Sequence, residues 1–273
     1  MPEKPEVITV TKKLEKRLLN KKITDCIVYY NKIIEYPSVE EFIKKIKNQT
    51  MKSFTTRGKW IVIELDSDYL LAHLRMEGKF FYRDIDAPIE KHHHVVFKID
   101  NEFELHFQDV RKFARLKLIP KDKINDMPPF TELGLEPWDN NLTPDYLKDK
   151  FSKKNLPIKS VLLDQSIITG IGNIYDDEIL FLSKINPLKK AKDLNTKELT
   201  DIIKNTISVL DKAISEGGTT IRNYTSEEGV TGLFQNNLLV HTKVGKPCPI
   251  CSTTIERIKI GGRSTYYCPK CQK

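Results

Sequence analysis

Apolar residues Val7, Val10, Leu14 and Leu18 recur at three- and four-residue spacing behind the opening MPEKPE. That spacing predicts an amphipathic helix starting near residue five, with Pro5 in the first turn and Glu6 at its positive end. From about residue 23 to 119 the pattern shifts toward a two-residue period. WIVIELDS places Ile61, Ile63 and Leu65 on one side, and HVVFKIDNEFELHFQ holds two strand-like runs around Asp100-Asn101, a hairpin signal. YLLAHLRMEGKFFY is read as another strand pair, turning near Glu77-Gly78. Many short strands with turns between them predict a sandwich or barrel.

After a Pro-, Gly- and Asn-rich stretch the period becomes helical. Thr143-Pro144 is a helix start, LPIKSVLLDQ a second helix and NIYDDEILFLSK a third. Asn195-x-x-Glu198 resembles a capping box ahead of a long helix, and Gly217-Gly218 stops it. Short strand-like pieces follow to the end. The fold class expected is α+β: an N-terminal β-sandwich domain with a leading helix over 1–130, a linker at 131–142, a helical domain over 143–233, and a small metal-holding module over 234–273.

Composition then narrows the function. The 273 residues are 39% hydrophobic and 30% charged, and carry a formal charge of +8. No apolar run reaches the roughly 20 residues of a membrane span, and no apolar leader core is present, so a cytoplasmic protein is expected. The basic balance favours a polyanionic partner. Four of the five cysteines, Cys248, Cys251, Cys268 and Cys271, form CPIC-x16-CPKC near the C-terminus. Two CxxC knuckles supply four thiolates, which suits one tetrahedral Zn²⁺ with no position left for chemistry. The expected cofactor is therefore one structural zinc. Between the knuckles, Arg263 follows Gly261-Gly262 at a hairpin tip, a position equally suited to a solvated arginine and to one reaching a groove.

Other motifs leave alternatives open. GIGNIYDDE joins two helices, with Asn173 placed to cap the second; this reads as a phosphate site or as a plain packing joint. Met76 in HLRMEGK and Phe113 beside Arg111 in QDVRKFA read as core or as wedges that enter a base stack. In KHHHV, strand alternation sends His92 and His94 to one side and His93 to the other, so the three do not share a metal.

Taken together, MPEKPEV, RGKW, HLRMEGK, KHHHV, DVRKFA, LGLEP, IKSVLLDQ, GIGNIYDDE, GGTTIRNY and the terminal CPIC…GGRSTYYCPKC resemble the bacterial formamidopyrimidine-DNA glycosylase family from first residue to last. The resemblance implies a helix–two-turn–helix domain in the helical half and a C-terminal zinc finger. It implies damaged double-stranded DNA as the partner, bound by a monomer between the halves and away from any membrane, at the bacterial nucleoid. The implied activity is removal of 8-oxoguanine and formamidopyrimidines, followed by β,δ-elimination at the abasic site.

Residue by residue, the resemblance makes Pro2 the nucleophile once Met1 is removed, Glu3 the general acid and Glu6 a supporting carboxylate. Lys59 matches the proton donor for β-elimination, and Arg263 a phosphate ligand tied to δ-elimination. Met76, Arg111 and Phe113 match the residues that fill the gap left by a flipped nucleotide. His73, His92, Lys154 and Asn173 match DNA contacts. Glu77 and Lys159 lie at positions implicated near the lesion, and Thr219, Thr220, Ile221, Arg222, Asn223 and Tyr224 match the loop that reads the damaged base. Three positions depart from the pattern: Lys4 stands for Leu, His93 for Asp, and His241 for a phosphate-binding Tyr. Two other functions carry the same scaffold: an endonuclease VIII-type enzyme for oxidised pyrimidines, and a non-catalytic DNA-damage-binding protein. A zinc-finger transcription regulator is a third reading of the terminal module.

Overall fold

The computed structural model describes residues 1–219 and 232–273, so Thr220, Ile221, Arg222, Asn223 and Tyr224 lie outside the described residues. The chain divides into two compact units, Met1–Thr131 and Glu132–Thr219 with Gly232–Lys273.

The first unit opens with α1 (Lys4–Leu18), whose Val7, Leu14 and Leu18 are buried as the periodicity predicts. Then come β1 (Lys22–Val28), β2 (Ile34–Tyr36), α2 (Val39–Ile46), β3 (Gln49–Thr50), β4 (Ser53–Arg57), β5 (Trp60–Glu64), β6 (Asp68–His73), β7 (Lys79–Asp84), β8 (His93–Ile99), β9 (Phe103–Gln108) and β10 (Arg115–Pro120). Two five-stranded sheets form, ordered β3-β1-β8-β9-β7 and β2-β10-β6-β5-β4. Their inward residues, among them Ile61, Ile63, Leu70, Phe97, Leu105 and Phe107, make one core with α1 and α2. This is the sandwich expected from the alternation.

Two local readings need correction. The strands of YLLAHLRMEGKFFY do not pair with each other: β6 pairs with β5 and β10, whereas β7 pairs with β9 in the other sheet. The reason lies in the turn. Arg75 adopts φ +52°, and the Gly78 N–H donates to Leu74 O at 2.9 Å, which carries the chain across to the second sheet. α2 also interrupts the strand region. Its N-cap Ser38 accepts from the Glu41 N–H at 3.2 Å, and its Phe42 and Ile46 enter the core. The hairpin at Asp100-Asn101 does form, with both residues at positive φ, as a tight turn between β8 and β9 requires.

The second unit contains α3 (Pro144–Phe151), α4 (Ile158–Leu162), α5 (Asn173–Leu182), α6 (Thr196–Ser215), and a hairpin of β11 (Glu256–Ile260) and β12 (Arg263–Tyr267). Thr143 caps α3 by accepting from the Tyr146 N–H, and Asn195 with Glu198 forms the capping box of α6. Gly217 and Gly218, at φ +74° and +82°, end that helix. The second helix expected from LPIKSVLLDQ is only one turn and a half long, Ile158–Leu162. A separate apolar core joins these helices. Among the described residues no helix is long and apolar enough to cross a membrane.

Candidate functional site

In the first unit the chemistry-bearing residues start at the chain end. Glu3 is the N-cap of α1, and its N–H donates to Glu6 Oε2 at 2.8 Å. The first helical bond runs from the Val7 N–H to Glu3 O. Pro2, Glu3 and Glu6 are all buried, so helix and cap hold the terminus as rigidly as a core segment. Glu6 thus has a definite structural partner: it fixes the backbone that carries Glu3. Lys4 is buried too, and its Nζ donates to Thr56 O on β4 at 3.5 Å. Three residues beyond Thr56 comes Lys59, also buried, in the two-residue turn Gly58-Lys59 between β4 and β5. Gly58 at φ +55° supplies the left-handed conformation that such a turn needs at its first position.

His73 closes β6 opposite Trp60, with ring centroids 4.9 Å apart and edge to face. Burial, then the charges of Arg75 and Lys59, push its pKa down to about 3. Its Nδ1 accepts from the Arg75 N–H at 3.0 Å. His73, expected as a DNA contact, is therefore a buried neutral ring that fixes the following turn. That turn carries Met76, 40% exposed, and the half-buried Glu77. Phe113 is 49% exposed, and the Arg111 guanidinium lies 5.0 Å above its ring. Neither Met76 nor Phe113 is core, which removes that alternative.

The histidine run separates as expected on one point. His94 packs on Tyr30, while His93 turns the other way onto His106, their Nδ1 atoms 3.0 Å apart. His106 Nε2 in turn meets Glu104 Oε2 at 2.7 Å. His92 lies just ahead of β8 at φ +74°, partly exposed.

In the second unit the GIGN turn does not work as the sequence suggested. Gly172, not Asn173, is the N-cap of α5, and no side chain caps it. Asn173 is the first helical residue, and its Nδ2 donates to Ser264 O on β12 at 3.0 Å. It ties the helix start to the hairpin strand that begins at Arg263, which is exposed. The correction for Lys159 is larger. Its side chain is fully buried, with Nζ 2.6 Å from Asp177 Oδ1, 3.3 Å from Asp176 Oδ2 and 3.1 Å from Asn173 O. Desolvation acts to lower its pKa, yet the two carboxylates hold it above its ordinary value. A lysine sealed in this cluster has no surface to offer a lesion.

The cluster extends further. Asp177 Oδ2 pairs with His241 Nδ1 at 2.6 Å, and the His241 ring meets Tyr266 edge-on at 5.0 Å. Glu178 accepts three backbone N–H groups, from Leu239, Val240 and His241. Asp176, Asp177 and Glu178 were missed by sequence reasoning, although three acids inside an otherwise apolar helix are themselves a signal of buried partners. Lys154 is more exposed and pairs with Asp164 at 3.3 Å. Thr219, at the edge of the described residues, is buried.

The four cysteine sulfurs lie within 4.8 Å of one another, with Cys248–Cys271 at 3.9 Å and Cys251–Cys268 at 3.5 Å. A tetrahedral zinc with Zn–S bonds of about 2.3 Å spaces its sulfurs by about 3.8 Å, so the donor set fits one structural Zn²⁺. The Ile250 and Cys271 N–H groups donate to Cys248 Sγ and Cys268 Sγ, which offsets thiolate charge.

Comparison with known proteins agrees with this architecture. Residues 1–116 match the formamidopyrimidine-DNA glycosylase N-terminal domain, 133–225 its H2TH domain, and 245–273 the zinc finger found in FPG and IleRS. The combination defines a class: a β-sandwich joined to a helix–two-turn–helix and a zinc finger. A formamidopyrimidine-DNA glycosylase of Bacillus cereus is 43% identical over 273 residues, covering 100% of this chain and 99% of the relative. A Lactococcus lactis FPG variant solved with Fapy-dG containing DNA superposes with a TM-score of 0.93 at 37% identity, covering 100% of both chains. MutM in complex with carbocyclic 8-oxo-G containing DNA gives 0.92 at the same identity and coverage. The chain belongs to the formamidopyrimidine-DNA glycosylase family.

Proposed function

We infer that the chain is a base-excision repair enzyme that removes oxidised purines from duplex DNA and cleaves the strand at the abasic site. The observation that carries the reading is the buried, capped terminus: Pro2 and Glu3 are held at the start of α1 by the Glu6 carboxylate. Family membership and the DNA complexes of its relatives support the substrate class. In this reading the protein acts as a monomer in the bacterial cytoplasm, at the nucleoid.

The chemistry starts once Met1 is removed. An α-amine titrates near 8 against about 10.4 for lysine, so the Pro2 nitrogen is far more often a neutral nucleophile at pH 7. It attacks C1′ of the damaged nucleotide as the C1′–base bond breaks; the base leaves with the electron pair and takes up the proton that the amine nitrogen loses. Glu3 donates a proton to the sugar ring oxygen, the ring opens, and the amine and C1′ become an iminium. That cation accepts the electron pair released when a proton leaves C2′, and the C3′–O bond breaks. Loss of the 5′ phosphate follows by δ-elimination. Lys59, in its fixed turn, handles protons in the first elimination. Arg263 binds phosphate and serves the second.

Met76, Arg111 and Phe113 fill the gap left by the flipped nucleotide. His92, Lys154 and Asn173 contact the backbone, Asn173 from its position against β12. Glu77 acts near the lesion, and Thr219, Thr220, Ile221, Arg222, Asn223 and Tyr224 read the damaged base. Lys159 supports Asn173 from beneath and is outside the contact set. Zinc holds the hairpin that presents Arg263.

The test compares duplexes carrying 8-oxoguanine opposite cytosine with duplexes carrying thymine glycol. Faster incision of the first supports the reading. Preference for the second assigns the chain to the pyrimidine enzymes, and binding without incision assigns it to the non-catalytic proteins.

A further inference from the structure

Asp109 stands between the end of β9 and the exposed residues Arg111 and Phe113, and it is 1% exposed. Its hydrogen-bonding groups are occupied on every side. Oδ1 accepts from the Arg111 N–H at 3.0 Å, and Oδ2 accepts from the Ala114 N–H at 2.7 Å. Its own N–H donates to His92 O at 3.1 Å. Its carbonyl accepts from His94 Nε2 at 2.8 Å and from the Lys112 N–H at 3.3 Å. The segment it spans includes Lys112 at φ +59°, a conformation that a non-glycine side chain does not hold without support. The Lys112 ammonium lies 4.7 Å above the Tyr30 ring.

The influence of this one carboxylate reaches the third exposed residue. Ala114, whose N–H it binds, packs against Gly78 so closely that a Cβ added at Gly78 would lie 3.1 Å from Ala114 Cβ and 2.7 Å from Leu74 O. Gly78 closes the turn that carries Met76. Arg111, Phe113 and His92 therefore sit on segments bonded directly to the buried Asp109, and the Met76 turn packs on that segment through Ala114 and Gly78.

We propose that Asp109 is a positioning residue that sets the opposite-strand wedge of Met76, Arg111 and Phe113 in register with His92, and so governs how the enzyme reads the base facing the lesion. The proposal rests on the reading above that these residues occupy the duplex gap. A buried carboxylate that accepts two backbone N–H groups fixes direction as well as position. An arginine that must meet one particular base edge needs both, because a displacement of about 1 Å removes a directed hydrogen bond.

The experiment uses the full-length zinc-loaded protein and its Asp109→Ala and Asp109→Asn variants. Asparagine keeps the size but loses one of the two acceptors, and so guards against a folding failure in the alanine variant. Two kinds of substrate are compared: 8-oxoguanine duplexes with cytosine or adenine opposite, and a single-stranded oligonucleotide with an abasic site. Asp109→Ala is expected to lower excision opposite cytosine by about tenfold or more and to narrow the cytosine-to-adenine ratio, with Asp109→Asn intermediate. Cleavage of the single strand, which has no facing base, stays within about twofold of the parent. In an Arg111→Ala background, Asp109→Ala should cost markedly less base discrimination than it does alone. Unchanged discrimination, an equal loss on both substrates, or additive losses in the double variant would overturn the proposal. A parent protein that cleaves neither substrate would instead overturn the glycosylase reading on which it stands.

Discussion

The two units solve the same problem, holding polar side chains still near a polyanion, by different means. The first buries His73 as a neutral ring, fixes its presenting turns through backbone geometry, and grips a buried carboxylate, Asp109, by backbone N–H groups. His73 and His93 are both held below their ordinary pKa, by burial first, and Arg75, His92 and Lys112 stand at positive φ. The second sets buried opposite charges against one another. Lys159 lies fully enclosed between Asp176 and Asp177, Glu178 grips three amides, and four thiolates gather beside them. Two five-stranded sheets and two helices give the first unit a continuous apolar core, whereas the hairpin of the second packs on a small cluster around Phe181 and Val240. A hairpin on so small a cluster takes its rigidity from the metal.

The comparison is broken most severely by removing zinc. Apparent binding energies of structural zinc sites are about 10–16 kcal/mol, so chelation is expected to disorder the β11–β12 hairpin and abolish duplex binding. Circular dichroism and calorimetry should still report the melting of the sandwich. Simultaneous loss of both units would contradict the separation.

Next comes Lys159→Met. It strands two buried carboxylates and is expected to cost about 3–5 kcal/mol in thermal unfolding of the second unit. A triple variant that also carries Asp176→Asn and Asp177→Asn should recover part of that loss, because the uncompensated charge is gone. A single variant as stable as the parent would mean that the cluster is dispensable.

The first unit answers to pH. A histidine whose folded pKa is depressed from 6.5 to about 3 leaves the unfolded chain to take up the proton first. Its contribution to stability is complete above pH 6.5 and is lost progressively toward pH 3. Between pH 6.5 and 4.5 this amounts to at most about 2.7 kcal/mol, two units at about 1.36 each. His93 acts in the same direction. His73→Phe should flatten the slope of stability against pH in that window, and an unchanged slope would show that His73 is not its source.

The smallest expected effect is Glu6→Ala. Removing half of a capping box costs about 1 kcal/mol of stability. It should also slow covalent capture of abasic DNA more than it weakens binding, because Glu6 orients the backbone that carries Glu3.

Much of this organisation was legible in the chain. The helix behind MPEKPEV, the Asp100-Asn101 hairpin, the Asn195–Glu198 capping box and the cysteine knuckles all depend on residues within a few positions of one another. Local chemistry decides such features. The helix α2 was legible too, since Ser38-x-x-Glu41 ahead of Phe42 is a start signal, but it was lost among strand-like neighbours. What local reading could not supply were choices made at a distance. β6 takes β5 and β10 as partners, not β7, because sheet membership is settled by the whole sandwich. Lys159 looks like any surface lysine until Asp176 and Asp177 fold onto it. Asn173 forgoes capping because β12 offers it a carbonyl from 91 residues away.

The central claim is that the Pro2 amine is the nucleophile. It is tested most directly by borohydride reduction of the protein on abasic DNA, followed by peptide mass spectrometry. The expected product is a protein beginning at Pro2 with a DNA remnant joined to the Pro2 nitrogen. A covalent adduct on a lysine such as Lys59, or efficient trapping by protein that retains Met1, would contradict it.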